Sequence, residues 1–267
     1  MFALIRGAGD LASGIALRLW HSGFDVAMTE IEHPTSIRRT VSFSEAVVNG
    51  RADVEDVSAQ LAENITHAKE LMKRDILPVF VDPECLCREA LHPDILIDAI
   101  LAKRNLGTKI TDAPIVIGVG PGFEAGVDCH AVIETMRGHT LGRVIYKGSA
   151  LPNTDIPGRI GGFTGERVLR APDNGVFKGT RRIGDIVEAG DIVGYVGEKP
   201  MICTIGGVLR GLLADSTQTH EGMKAGDVDP RGERDYCYTV SDKALAIAGG
   251  VLEAILHLYT DKGDFYG

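Results

Sequence analysis

The sequence has no apolar run near the roughly 18 residues that a membrane span needs, and its N-terminus lacks the long apolar core of a secretory signal. Both absences point to a cytoplasmic protein with no membrane partner. An excess of positive charge is also missing: 28 Lys and Arg stand against 37 Asp and Glu, for a formal net charge of −9. Nucleic-acid contact is driven by clustered lysine and arginine, so that partner class is excluded. A small anionic ligand is not, because Arg38-Arg39, Lys103-Arg104, Arg137 and Arg143 lie beside glycines and turns. C-x-x-C units are absent as well. The five cysteines, Cys85, Cys87, Cys129, Cys203 and Cys237, form no zinc-type pairing; their odd number suggests free thiols, and no metal-ligand set emerges.

What is present begins at the N-terminus. Phe2-Ala3-Leu4-Ile5 is a short apolar run, Gly7-Ala8-Gly9-Asp10-Leu11-Ala12 fits the G-x-G-x-x-G/A fingerprint, and Val26-Ala27-Met28-Thr29 leads into Glu30. This reads as strand, glycine turn, helix, strand, the opening of a dinucleotide-binding fold. Gly7 allows the tight turn, Gly9 lets backbone approach a pyrophosphate, Ala12 permits close helix packing, and a helix starting near Asp10 offers its N–H groups to an anion. Leu11 completes the phosphate loop, and Glu30 stands where a ribose-binding acid belongs. Asp10 suits the helix dipole but would repel ligand phosphates.

At 267 residues the chain can form one large domain or two ordinary ones. From Asp53, the apolar positions Val54, Val57, Leu61, Ile65, Ala68 and Met72 recur at helical spacing, with Asp53 and Asp56 placed as caps; the spacing predicts one helix over 53–72. Strands ending in Asp82 and Asp98 follow, then a strand running into the glycine turn of Gly118, Gly120 and Gly122. Alternating strands and helices imply a parallel sheet, whose ligands bind beyond the strand carboxyl ends. Glu30, Asp82, Asp98 and both glycine turns converge there.

In the central segment, Asp128, His130, Val132 and Glu134 would share one face of a strand. His130 and Glu134 are the candidate acid–base pair, or else a buried and mutually satisfied polar pair. Arg137 and His139 are further ligand candidates. From about Gly165 the texture changes to short β-rich pieces separated by Gly and Asp, which predicts a small barrel or sandwich. Its A-P-x-x-G-V-F and I-G-D-x-V-x-x-G-D segments look like the biotinyl and lipoyl hammerhead, although Lys199 is not in the usual biotinylation context. Gly226 to Gly232 reads as a polar turn. A final helix starts at Ser241-Asp242, and its internal Gly249-Gly250 pair calls for close approach of another backbone. The expected fold class is therefore α/β, with a Rossmann-like parallel-sheet domain over residues 1–164. A β-rich barrel-sandwich domain, hammerhead-like, is expected over residues 165–267, its last helix packing back.

The motifs G-A-G-D-L-A-S-G, M-T-E-I, R-R-T-V-S-F-S-E-A-V, G-P-G-F-x-A-G-V-D, H-A-V-I-E-T-x-R-G-H-x-L-G-R, G-V-L-R-G-L-L, G-D-V-D-P-R-G and S-D-K-A-x-A-I-A-G-G-V-L-E-A-I-L together resemble the YqeB family, across nearly the whole chain. These are accessory proteins associated with selenium-dependent molybdenum hydroxylases. The resemblance implies a bacterial maturation factor, more a cofactor handler than an enzyme. Its cofactor would be the molybdenum cofactor, a pterin, or its nucleotide form. Its partner would be a xanthine-dehydrogenase-like molybdenum hydroxylase, and a homo-oligomer is compatible with it. The residues leave two alternatives open: an NAD(P)-dependent oxidoreductase with His130 or Asp98 as proton donor, and a non-catalytic docking module.

Overall fold

The computed structural model describes residues 1–154 and 157–260. Contacts divide the chain into two units. The first is residues 1–34, 42–153 and 240 onward; the second is residues 35–41 and 154–239. Neither unit is one continuous stretch of chain, and the last helix belongs to the first unit, whereas the sequence reading divided the chain at 164/165.

The first unit runs β1 (Phe2–Arg6), α1 (Asp10–His21), β2 (Asp25–Glu30), α2 (Glu45–Asn49), β3 (Arg51–Val54), β4 (Val57–Leu61), α3 (Ile65–Met72), β5 (Leu77–Val81), α4 (Arg88–Leu91), β6 (Ile95–Asp98), β7 (Ile115–Val119), β8 (Ala131–Ile133) and β9 (Val144–Ile145), and closes with α5 (Asp242–Thr260). Its strands form one nine-stranded sheet in the order β3-β4-β5-β2-β1-β6-β7-β8-β9. The strands from β4 to β8 are mutually parallel, but β3 and β9 run antiparallel at the two edges.

The expected Rossmann-like parallel sheet is corrected by this arrangement. The sheet is mixed, and the crossovers from β6 to β7 and from β7 to β8 carry no α-helix. The sheet face those crossovers leave bare is covered by α5, which packs on β7, β8, β9 and α1. Close approach explains half of its glycine pair: a Cβ on Gly250 would collide with the Gly142 carbonyl oxygen, while one on Gly249 would meet nothing within 4 Å. Where α1 meets α5, a Cβ on Gly14 would lie 2.7 Å from the Ala244 Cβ. Among the described residues, α5 alone is long and apolar enough to cross a bilayer, which qualifies the expectation that no segment reaches that length. Its Ile247, Val251 and Ile255 are buried in the first unit's core.

The helix predicted over 53–72 is also corrected. Residues 51–61 form the β3–β4 hairpin with Val54 opposite Val57, and the turn between them holds Glu55 at a φ of 53°. Ala52, Val54, Val57 and Ala59 are buried at period two, a pattern that coexists with the helical one. The helix starts only at Ile65, where the Asn64 side chain accepts the His67 N–H at 2.9 Å as its cap.

The second unit holds β10 (Val168–Arg170), β11 (Gly175–Gly179), β12 (Ile186–Val187), β13 (Ile192–Val196), β14 (Lys199–Ile202), β15 (Gly207–Leu212), β16 (Gln218–Thr219) and β17 (Lys224–Asp229). They form two four-stranded sheets, β10-β17-β15-β12 and β14-β13-β11-β16, paired antiparallel throughout. Phe177, Val193, Met201, Leu209, Leu212 and Val228 build one core from both sheets. The fold is accordingly a mixed α/β fold with a large mixed sheet and two antiparallel sheets, in place of a Rossmann-like domain joined to a hammerhead-like barrel-sandwich. Most of the polar segment 226–232 is strand rather than turn, and its Asp227 and Asp229 are buried.

Candidate functional site

Parallel pairing brings the carboxyl ends of five neighbouring strands to one edge of the large sheet. Arg6 stands opposite both Thr29 and Asp98, Glu30 opposite Val81, and Asp98 opposite Gly118. Beyond β1, Gly7 adopts a φ of 102° and lies so near the segment after β6 that an added Cβ would stand 3.1 Å from Ala99 and Ile100 backbone atoms. Gly9 is the N-cap of α1 and supplies no side-chain cap. Asp10 occupies the first turn, where its Oδ1 accepts the Leu11 N–H at 3.0 Å. The side chains of Leu11 and Ala12 are buried, so both can serve a ligand only through their backbone.

Glu30 is tied to this loop. Its Oε2 accepts the Ala8 N–H at 3.0 Å and its Oε1 the Ile31 N–H at 2.8 Å. Burial pushes its carboxyl above the ordinary value, against the downward pull of those two N–H groups. The loop is held from its other side by Ser44, whose N–H donates to the Ala8 carbonyl at 2.9 Å. Ser44 is fully buried, and its Oγ has no hydrogen-bond partner among the described residues.

Asp98 is engaged on the opposite face of the sheet. It accepts the Arg6 Nη1–H at 3.2 Å and the Thr108 hydroxyl at 2.6 Å, all three residues being buried. Arg6 also donates to the carbonyls of Pro83 and Leu106, so one guanidinium fixes the loops after β5 and β6. Asp82 accepts the Cys87 N–H at 2.7 Å. The second glycine turn is filled by protein: a Cβ at Gly120 would meet Thr135 Oγ1 at 2.9 Å, and one at Gly122 the Arg104 backbone at 2.6 Å.

The structure does not couple His130 to Glu134. The backbone N–H of Val116 donates to the His130 Nδ1 at 3.0 Å, while the Glu134 carboxylate accepts the N–H groups of Met136 and Leu151 at 2.7 and 2.9 Å. Arg137 pairs with Asp242, in the first turn of α5, at 2.8 and 2.9 Å. His139 is exposed between β8 and β9. Among the described residues no group of three or more His, Cys, Asp or Glu could hold a metal ion. Arg6, Thr108 and Ser44 were missed in the sequence: Arg6 directly precedes the fingerprint, but its partners lie about a hundred residues away.

No family model matches the chain. It is 52% identical over 255 residues to a protein of Escherichia coli K12 named "uncharacterized protein YqeB", covering 96% of this chain and 47% of that one. The chain thus spans about half the length of the curated relative it matches. Two solved structures align with it at low scores. One is a succinylglutamate desuccinylase/aspartoacylase from Rhodobacter sphaeroides, at 12% identity and a TM-score of 0.28, covering 85% of this chain and 84% of that one. The other is an aspartoacylase family protein from Mesorhizobium loti, at 10% identity and a TM-score of 0.27, with the same coverage of 85% and 84%. At such scores neither carries an argument about this chain's chemistry.

The expected role in maturing selenium-dependent molybdenum hydroxylases is corrected by these findings. The matched relative is named as uncharacterized and carries no activity, so the finer role is withdrawn. What the comparisons support is the YqeB likeness itself, read along 96% of this chain.

Proposed function

We propose that the first unit binds a phosphorylated, nucleotide-type ligand at the Gly7-Ala8-Gly9 loop, with NAD(P) and a pterin nucleotide as its two candidate forms. The observation that carries the reading is the glycine turn at the N-terminus of α1, with Gly7 at a φ of 102°, Gly9 as the N-cap and Glu30 bonded to the Ala8 N–H. A helix N-terminus reached through glycines is a suitable donor to a phosphate oxygen. The residues fit such a group. Gly7 and Gly9 keep side chains away from the turn, and each Glu30 oxygen keeps a second lone pair for a sugar hydroxyl. Burial that favours the neutral form of Glu30 also lessens its repulsion of a nearby phosphate. Ligands of this class are available in the cytoplasm, the setting proposed here.

The test is calorimetric titration of the whole chain with NAD, NADP and a pterin nucleotide, repeated on Gly9→Val and Asp10→Asn. Gly9→Val is expected to abolish binding with the circular-dichroism spectrum unchanged. Asp10→Asn is expected to tighten binding several-fold by removing a charge beside the phosphate. Affinity unchanged in the folded Gly9→Val protein overturns the reading.

A further inference from the structure

The last helix of the first unit, α5, has two apolar faces, and the core takes one of them. Ala244, Ile247, Ala248, Val251 and Ile255 are buried where α5 packs on the large sheet and α1. On the other side Leu245, Gly249, Leu252 and Leu256 recur at intervals of four, three and four residues, which aligns them in one narrow seam along the helix. Leu245 is 41% exposed and Leu256 40%, with Gly249 and Leu252 half-buried between them. A Cβ at Gly249 would meet nothing within 4 Å, so alanine there would favour the helix, and no contact within the chain accounts for the glycine. Gly249 leaves a hollow in the middle of a leucine seam.

We propose that this seam is a dimer interface, in which α5 packs antiparallel on α5 of a second copy of the chain. The seam is complementary to itself about a point between Gly249 and Leu252. Reversed about that point, Leu252 of each copy enters the hollow over Gly249 of the other, and Leu245 lies against Leu256 of the second copy at both ends. Large meets small in the middle, and one surface serves both copies, as a two-fold axis demands. Parallel pairing would set glycine on glycine and leave the hollow empty, which close packing disfavours. The flank of the seam fits the same arrangement. The exposed Asp242 carboxylate, at one end, comes beside the exposed His257 of the second copy, and the contact is repeated by symmetry at the other end. Tyr146, 39% exposed, stacks on His257 with ring centroids 4.6 Å apart and widens the apolar face there. A lipid surface is the poorer occupant, because the charged residues that border the seam are Asp242 and Glu253, where a helix lying on a membrane carries lysine and arginine.

This inference is independent of ligand binding at the glycine loop. Its test is analytical ultracentrifugation of the whole chain across the micromolar range, where the parent is expected to sediment as a dimer that dissociates on dilution. Gly249→Leu places its Cβ in open space and fills the hollow. It is expected to keep the circular-dichroism spectrum and to weaken association at least about tenfold, and Leu245→Glu to do the same. The direction of pairing is read on a non-reducing gel after oxidation. A mixture of Leu245→Cys and Leu256→Cys chains is expected to give a linked dimer, and either variant alone to give none, because equal positions lie about 16 Å apart along an antiparallel pair. A monomer at every concentration, undiminished association in folded Gly249→Leu, no linked product in the mixture, or a linked dimer in either cysteine variant alone would overturn the proposal. A monomer that floats with phosphatidylcholine vesicles would overturn it in favour of a lipid surface.

Discussion

The two units hold most of their strand-end acids differently. In the first, Glu30, Asp82 and Glu134 accept N–H groups from loop backbone, and Asp98 alone of these pairs with an arginine, Arg6. In the second, Asp227 and Asp229 sit within one sheet and are held chiefly by guanidinium groups, with the Arg231 backbone N–H added at Asp229. Asp227 is bridged by Arg167 and by Arg210, and Asp229 by Arg210 at 3.0 Å and by Arg231 at 2.6 Å. A carboxylate that holds backbone shapes a loop and keeps lone pairs for a further donor. One saturated by guanidinium groups closes a strand face. The difference teaches that acids at strand ends are not by themselves a site; what their other partners are decides whether a ligand can be taken.

The sharpest way to break this comparison is Asp227→Ala. It removes the carboxylate from buried Arg167 and one of the two carboxylates from buried Arg210, and is expected to destabilise the second unit by about 3–5 kcal/mol, read as a lower urea midpoint, with glycine-loop binding retained. Glu134→Gln follows. Its amide keeps one acceptor but turns a donor toward a backbone N–H, for an expected loss of about 1–3 kcal/mol in the same assay. If the two losses come out equal, backbone-bound and arginine-bound acids are energetically alike and the contrast fails.

The glycine pair of α5 sharpens the comparison within a single element. Gly250→Ala is expected to cost about 1–3 kcal/mol through overpacking. Gly249→Ala, in open space, is expected to gain about 0.5–1 kcal/mol. Thermal midpoints shifted in opposite directions would show this.

The smallest effect is read by its sign. The Glu30 carboxyl is raised from its ordinary value of 4.5, so its contribution to stability is fully present below that value and is lost as pH climbs through the folded one. Asp229 behaves inversely. Burial pushes it up, but its Arg231 bonds and the nearby Arg210 and Arg231 charges outweigh that and hold it below 3.8, so its contribution is present at neutral pH and lost as pH falls through the folded value. Stability measured from about pH 3 to about pH 7 is expected to show Glu30→Gln gaining on the parent and Asp229→Asn losing to it as pH rises, so that the two variants diverge from the parent at the neutral end in opposite directions.

The sequence was most legible where local pattern and tertiary role coincide. β1, α1 and β2 were placed within about a residue or two, since an apolar run, a glycine turn and a terminal acid are all local signals. Residues 53–61 misled because Val54 and Val57 satisfy both a helical and a hairpin spacing, and the turn that decides between them needs only Glu55 in a left-handed conformation. In the candidate site, the strand-end acids were visible by type, but their partners were not. Nothing within a few residues of Asp98 announces Arg6, and the bond of Glu30 to Ala8 depends on β2 lying beside β1. Asp227 and Asp229 read as a polar turn because only strand pairing reveals that Arg210 stands across from them.

The covering of the large sheet by α5 has a consequence for synthesis. Residues 242–260 leave the ribosome after the whole of the second unit, so that unit is complete while the first still exposes the face of β7 and β8. The nascent chain carries that apolar surface bare throughout translation of almost a hundred intervening residues. The first unit therefore waits longest for closure although its strands emerge first, and this interval is when a chaperone would have most to hold.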